Sequence, residues 1–372
     1  MIDWESQDSH VLINPCYSEK SKQLFQQILN HAGHWPGHVW LATSGSTVEK
    51  WVGLSKQALL SSAQAVNTHL ESDSSDSWAL ALPDFHVGGL GIRARSHLSQ
   101  AKVYEFKHIN PTSKWDASLF YHFLVQTKAS LTALVPSQLF DLIQLNFKGP
   151  PALRAVVIGG GHLPTELLDQ SKQKGWNILP SYGSTECASQ VATASLRSHL
   201  DLKILQHMEV SIRDNRLAFK SPALLSAYAY FENEKPVFID PKVEGWFVSM
   251  DHGDVKNGYL SIHGRIDEMI KIGGENVDVA RLEKLLQKIK IKNQISEVMT
   301  LLPLPHERLG HMLVLVIEGK PTKKIEQTIL KEFHLSILPF ERIREVKWVE
   351  EIPKSSLSKI LKSKLKQLIQ IQ

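Results

Sequence analysis

Cysteine is nearly absent from this chain of 372 residues: only Cys16 and Cys187 are present. Two thiols build neither a disulfide framework nor a cysteine-rich zinc site, so a reducing compartment fits. Charge of one sign is also lacking. The net charge of +4 is spread along the chain and gives no concentrated basic face of the kind that binds nucleic acid. No apolar run approaches the ~18 to 20 residues that a membrane-spanning helix needs. The opening MIDWESQDSH is polar and acidic, without the charged start and apolar core of a secretory leader. A cytoplasmic protein without stable membrane insertion is expected. At 42% hydrophobic and 22% charged residues the composition is that of an ordinary globular protein, and the length allows two or three domains or subdomains.

The most informative stretch present is DHGDVKNGYLSIHGRIDEMIKIGGENV, residues 251–277. Asn257-Gly258 between two short apolar runs is a strong hairpin signal, because both central residues of such a turn need φ > 0. Asp254 stands just before this hairpin and Arg265 just after it. A carboxylate that accepts from paired hydroxyls and a guanidinium that reaches a hydroxyl or phosphate suit a ribose phosphate, although an ordinary surface ion pair reads the same way. After RID, Gly273 and Gly274 free the backbone as a new pattern starts, which marks a joint between two domains.

Upstream, residues 18–31 read as a helix and HVWLAT as a buried strand. His31, His34 and His38 fall in or beside a GHWPG loop, a poor setting for a metal site. The strand opens into Thr43, Ser44, Gly45, Ser46 and Thr47, whose hydroxyls and unhindered amides are what a polyphosphate cradle needs, though such a run also makes a plain turn. It is not a Walker loop. A helix capped by Ser55 follows, then ESDSSDS, read as a solvated loop, and the strand WALALP leading into Asp84, Phe85, His86 and the glycines 88, 89 and 91. Arg93 and Arg95 lie on the next helix. Two residues apart, they point in different directions, so at most one faces a pocket. Between residues 101 and 180 strands and helices alternate, which predicts an α/β, doubly wound parallel sheet. Gly159, Gly160 and Gly161 after AVVI, and Tyr182-Gly183-Ser184-Thr185-Glu186 after NILPS, lie where such sheets bind ligands. Thr185 beside Glu186 can hold a phosphate with its Mg²⁺, or simply cap a helix. Residues 207–250 read as a small β subdomain, and the remainder as a compact α+β unit whose tail, with Leu357, Ile360, Leu361, Leu365 and Leu368, packs as a helix on its own domain.

In this order the segments TSGST with a downstream lysine, LPDFHVGGLG, GGG, SYGSTE, the GD…GR pair, IKIGGENV and PKSSLSKIL resemble the acyl-adenylate-forming superfamily of acyl-CoA synthetases, adenylation domains and luciferases. They run through nearly the whole chain. Within the superfamily the LPxFHxGGxGI…R segment, VPSQL and YGSTECASQ are most similar to the o-succinylbenzoate-CoA ligases of menaquinone biosynthesis. The resemblance implies a large N-terminal AMP/ATP- and acyl-binding domain, residues 1–266, with a small β subdomain. It also implies a small mobile C-terminal domain, residues 267–372, turning about Asp267.

The implied reaction joins a carboxylic acid to ATP, releasing pyrophosphate, and then passes the acyl group to the thiol of coenzyme A, releasing AMP. The residues at 43–47 and Lys50 would hold the β- and γ-phosphates, and Gly159, Gly160, Gly161, Tyr182 and Gly183 the nucleotide. Thr185 would meet the α-phosphate, Glu186 the Mg²⁺, and Asp254 and Arg265 the ribose. Lys359 would reach the carboxylate and α-phosphate, while Gly273, Gly274 and Glu275 belong on the CoA side. His86, Arg95, Ser137, Gln138 and Ser184 would line the acid pocket, with Arg95 the natural partner of a second carboxylate.

Three departures stand out. Thr47 is followed by Val48-Glu49-Lys50, one residue short of the usual loop, so Glu49 must point away from the phosphates or ATP binding is weakened. Ser358 replaces the usual glycine before the lysine. Only about forty residues precede the phosphate loop, far fewer than in longer relatives, which is expected to leave a surface for a partner or a homodimer. The alternatives are a CoA ligase for another aryl or medium-chain acid, and a degenerate nucleotide-binding member without turnover.

Overall fold

The computed structural model describes residues 2–15, 19–31, 35–42, 50–108, 115–198, 201–233, 235–266, 269–273, 275–355 and 359–371. They form two compact units. One comprises Met1–Leu163, Leu168–Ser249 and Asp254–Ser261; the other comprises Pro164–Leu167, Met250–Gly253 and Ile262–Gln372.

The chain begins β1 (His10–Leu12), α1 (Glu19–His31), β2 (His38–Ala42), β3 (Trp51–Ser55), α2 (Lys56–Leu70), β4 (Ser77–Leu80), α3 (Val87–Ser99) and β5 (Lys102–Glu105). It continues α4 (Ala117–Thr127), β6 (Leu131–Leu134), α5 (Pro136–Gln144), β7 (Ala155–Ile158), α6 (Thr165–Gln173) and β8 (Ile178–Ser184). Strands alone follow: β9 (Ser189–Thr193), β10 (Leu202–Ile204), β11 (Glu209–Arg213), β12 (Arg216–Lys220), β13 (Ala227–Glu232), β14 (Lys235–Ile239), β15 (Phe247–Val248), β16 (Asp251–Lys256) and β17 (Tyr259–Arg265). Ser55 caps α2 by accepting from the Ala58 amide at 3.0 Å, as its position before the helical pattern requires. Strands β6 and β7 are buried at every residue, which is why LTAL and AVVI are unbroken apolar runs.

A nine-stranded sheet runs β16-β17-β10-β9-β8-β7-β6-β4-β5. From β5 to β8 every neighbouring pair is parallel, and β9 turns back antiparallel on β8. A five-stranded sheet, β1-β2-β3-β13-β14, packs Trp40, Trp51, Ala227 and Ala229 against Ile28 of α1. The β subdomain expected over 207–250 is present but does not take in every strand of that span. MEVSI, LAFK and the start of GWFVSM do form a three-stranded sheet, β11-β12-β15. The intervening β13 and β14, however, leave for the five-stranded sheet, where Tyr228 lies opposite Val52 of β3. Their apolar partners lie far upstream in sequence, so local periodicity could not assign them.

The second unit holds β18 (Met269–Ile272), β19 (Glu275–Asp278), α7 (Val279–Lys292), β20 (Met299–His306), β21 (Gly310–Glu318), α8 (Lys323–Leu335), β22 (Ile343–Val349) and α9 (Lys362–Ile371). Alternation along β21 splits its core. Leu313, Leu315 and Ile317 pack with Leu282, Leu286, Ile329 and Phe333 of α7 and α8, whereas Val314 and Val316 pack with Leu365 and Ile369 of α9. The tail helix starts only at Lys362, so Ile360 and Leu361 precede it; Leu368 is exposed and Ile369 takes the buried position instead. Leu357 lies outside the described residues.

Candidate active site

The carboxyl ends of the parallel strands gather most of the unit-one residues named from sequence. His86 stands at the start of α3 after β4, and Ser137 and Gln138 open α5 after β6. Gly159, Gly160 and Gly161 follow β7, while Tyr182, Gly183 and Ser184 end β8. Neighbouring parallel strands place these positions along one edge of the sheet, where open α/β sheets take ligands. The glycines border both neighbours: a Cβ at Gly159 would sit 3.6 Å from the Ser181 carbonyl oxygen, and one at Gly161 3.6 Å from the Pro136 ring. The Gln138 side chain accepts from the Val135 amide at 3.1 Å and so fixes the start of its own helix.

Thr185 and Glu186 form a single 3-10 turn after β8. The turn is closed by β9, which bulges against β8 between Tyr182 and Gly183. Glu186 is held twice. Its carbonyl accepts from the Leu225 amide at 2.8 Å, and its carboxylate Oε1 accepts from the Tyr228 hydroxyl at 3.0 Å. Lys50, which leads into β3, places its ammonium 3.7 Å from the centroid of the same Tyr228 ring. Sequence reasoning missed Tyr228; AYAYFE carries no motif, and only its pairing with β3 brings it here. Thr43, Ser44, Gly45, Ser46 and Thr47, with Val48 and Glu49, lie outside the described residues.

The two arginines of α3 part as their spacing requires. Arg93 pairs with Asp84 at 3.0 Å and Glu105 at 2.8 Å, and Lys107 joins both carboxylates. These cations, Arg93 first, hold the Glu105 carboxyl down at about 2. Arg95 is only 1% exposed. Its guanidinium donates to Ser189 Oγ at 3.3 Å, lies 5.5 Å from the Trp78 ring centroid and has a buried Nε without a partner among the described residues. It packs tightly on Gly91, where a Cβ would stand 3.1 Å from Nη2. Burial pushes its pKa down to about 10, which leaves it fully charged at neutral pH.

Asp254 is an exposed residue of β16 in the first unit, and Arg265 ends β17 in the second, 3.5 Å from Asp251. The strands are longer than their apolar runs, so both residues sit on the hairpin rather than outside it. Gly273 takes φ +62 in the tight turn between β18 and β19, and Glu275 opens β19. Gly274 and Asp267 lie outside the described residues. Lys359 is tied back to Ser355: its amide donates to Ser355 Oγ at 3.2 Å, its carbonyl accepts from the Ser355 amide at 2.7 Å, and Lys354 bridges to Ile360. Glu318 anchors that segment through the Ile352 amide and the Lys354 ammonium, each at 2.9 Å.

Among the described residues no group of three or more His, Cys, Asp or Glu side chains gathers to cage a metal. Mg²⁺ held with substrate phosphates needs only one or two protein carboxylates, so Glu186, with one oxygen fixed by Tyr228, fits that ion.

Residues 38–218 match the model of the AMP-binding enzyme family. The chain is similar to that family over those residues. It is 32% identical over 278 residues to the 2-succinylbenzoate--CoA ligase of Salmonella typhimurium, an alignment covering 74% of this chain and 57% of that protein. Two solved structures share its fold. The o-succinylbenzoate CoA synthetase (MenE) of Bacillus subtilis in complex with the acyl-adenylate intermediate OSB-AMP superposes with a TM-score of 0.73 at 22% identity, over 88% of this chain and 68% of that one. The same synthetase with ATP and magnesium ion gives 0.71 at 23% identity, over 88% and 69%. The chain spans less than two thirds of the length of the curated relatives it matches. The mixed α/β architecture, with its larger first unit and smaller α+β second unit, is the fold expected from the motifs.

Proposed function

We propose that this chain is an ATP-dependent acid-CoA ligase that adenylates o-succinylbenzoate, releases pyrophosphate, and then forms the CoA thioester with release of AMP. The observation that carries the substrate choice is Arg95, a guanidinium buried beside the site edge with one hydroxyl partner. A buried cation of this kind favours an anion, and the second carboxylate of o-succinylbenzoate supplies one; a fatty acid does not. The Salmonella relative bears the name of that activity.

In this reading the residues at 43–47 and Lys50 hold the terminal phosphates, and Gly159, Gly160, Gly161, Tyr182 and Gly183 the nucleotide. Thr185 donates to the α-phosphate and Glu186 holds Mg²⁺, which when bound neutralises phosphate charge. Asp254 and Arg265 hold the ribose; His86, Ser137, Gln138 and Ser184 line the acid pocket. Lys359, on a domain spanning 267–372 that turns about Asp267, meets the charge developing on the carboxylate and α-phosphate; Gly273, Gly274 and Glu275 serve the thioester step. No side chain attacks the substrate, so the protein acts by positioning and charge stabilisation. The second unit's separate contacts support its treatment as a domain. With ATP and CoA as substrates, and no helix among the described residues long and apolar enough to cross a membrane, we place the enzyme in the cytoplasm.

Pyrophosphate release with ATP, Mg²⁺ and o-succinylbenzoate, benzoate or octanoate tests the reading. Turnover is expected with o-succinylbenzoate alone, and Arg95→Ala should lower kcat/KM by about 10²-fold or more, the cost of deleting one partner of a buried charge pair. Lys359→Ala should lose about 10²- to 10³-fold in adenylation, as when one preorganised donor is removed, and less in thioester formation from supplied acyl-adenylate. Turnover with octanoate overturns the substrate; ATP binding without turnover on any acid favours a non-catalytic nucleotide-binding member.

A further inference from the structure

Tyr228 touches two residues of opposite charge through two different parts of its side chain. Its ring face carries the Lys50 ammonium at 3.7 Å, and its hydroxyl donates to Glu186 Oε1 at 3.0 Å. The backbone around it is tied to the same two neighbours. Tyr228 pairs with Val52, two residues beyond Lys50, while the Leu225 amide binds the Glu186 carbonyl and the Ser226 amide the Gly53 carbonyl. The partly buried ring is thus registered against both the strand after the phosphate loop and the turn that bears the carboxylate. A flexible lysine loses much rotamer freedom when it is held, and a ring face attracts an ammonium through its quadrupole. A hydroxyl that fixes one carboxylate oxygen leaves the other oriented for an ion, as outer partners do for metal ligands.

We propose that Tyr228 is a positioning residue for the nucleotide: its face sets the Lys50 ammonium for the terminal phosphates, and its hydroxyl sets the Glu186 carboxylate for Mg²⁺. The proposal rests on the ligase reading for the roles of Lys50 and Glu186, but it concerns nucleotide binding and needs no acid substrate. The two functions separate by substitution. Tyr228→Phe keeps the face and removes the hydroxyl, while Tyr228→Leu removes both.

Isothermal titration calorimetry of the full chain with ATP, in EDTA and across a Mg²⁺ series, tests it. Tyr228→Phe should bind metal-free ATP as the wild type does, yet need about 10-fold more Mg²⁺ to reach the wild-type enhancement, the usual effect of losing an outer partner. Tyr228→Leu should also lose roughly 3- to 5-fold in metal-free ATP affinity, the size of a partly exposed cation–π contact. In a Glu186→Gln background, Tyr228→Phe should leave the Mg²⁺ requirement where Glu186→Gln alone puts it. A Tyr228→Phe protein with an unchanged or lowered Mg²⁺ requirement overturns the proposal while the ligase reading stands. A wild type that binds no ATP in either condition overturns both. Tyr228→Phe preserves the packing, so its Mg²⁺ series decides even where the leucine variant does not fold.

Discussion

Gly183 shows what one hydrogen atom in place of a side chain permits. A Cβ there would fall on the Ser189 carbonyl, 2.6 Å from its carbon, because β9 folds back on β8 through Ala188 and Ser189, both at positive φ. Gly183→Ala is therefore expected to cost about 1 to 3 kcal/mol, the range for overpacking, and to displace the turn bearing Glu186. A lower Tm together with weaker ATP binding in calorimetry would show it; a variant unchanged in both would mean that the turn relaxes freely. From the motif, Gly183 was legible as a small residue at a strand end. The reason the structure provides is a close backbone approach, invisible without the β8–β9 pairing. Arg95 was legible in the same partial way. Its spacing from Arg93 required the two to diverge, but only the fold buries one and pairs the other.

Elements recovered from sequence are those whose apolar pattern is local. Strand β7 and helix α2 fall where the apolar run AVVI and the Ser55 cap put them. The segment ESDSSDS, residues 71–77, reads instead as a solvated loop, and one of its carboxylates is buried. Asp76, 8% exposed, accepts from Arg154 Nε at 2.8 Å and Nη2 at 2.6 Å, and from Ser130 Oγ at 2.7 Å. These residues precede β4, β6 and β7, so they join the amino ends of the strands, away from the edge that carries the site. Burial opposes ionisation of Asp76, but the Arg154 and Ser130 hydrogen bonds outweigh it and hold the carboxyl below its ordinary value of 3.8. That stabilisation is complete above the ordinary range and disappears as the pH falls through the folded value. Asp76→Asn should cost about 2 kcal/mol, less than a fully buried pair because Arg154 is partly exposed. Chemical denaturation should register the loss while KM for ATP stays at the wild-type value; a changed KM would connect the two ends of the sheet.

For the molecule as a whole, acid should act before the carboxylates titrate. His207, between β10 and β11, is half-buried, its two ring nitrogens covered and neither partnered among the described residues, and burial pushes it from 6.5 down to about 4. The unfolded chain takes up a proton as the pH falls below 6.5, whereas the folded chain resists until about 4. Stability therefore declines across that window, by about 1 to 2 kcal/mol for a partly screened group. Thermal melts between pH 7 and pH 4.5 should show a shallower decline in His207→Gln; equal slopes would place the acid sensitivity elsewhere. Sequence by itself determined the order of elements and the residue types fit for phosphate, ribose and carboxylate, because motifs, turns and apolar periods are written within a few neighbours. Only the tertiary structure decided that AYAYFE joins the sheet of β3, that Tyr228 meets both Lys50 and Glu186, and that Arg95 is buried. Strand pairing across nearly two hundred residues is fixed by which apolar faces bury together, and no local pattern specifies that.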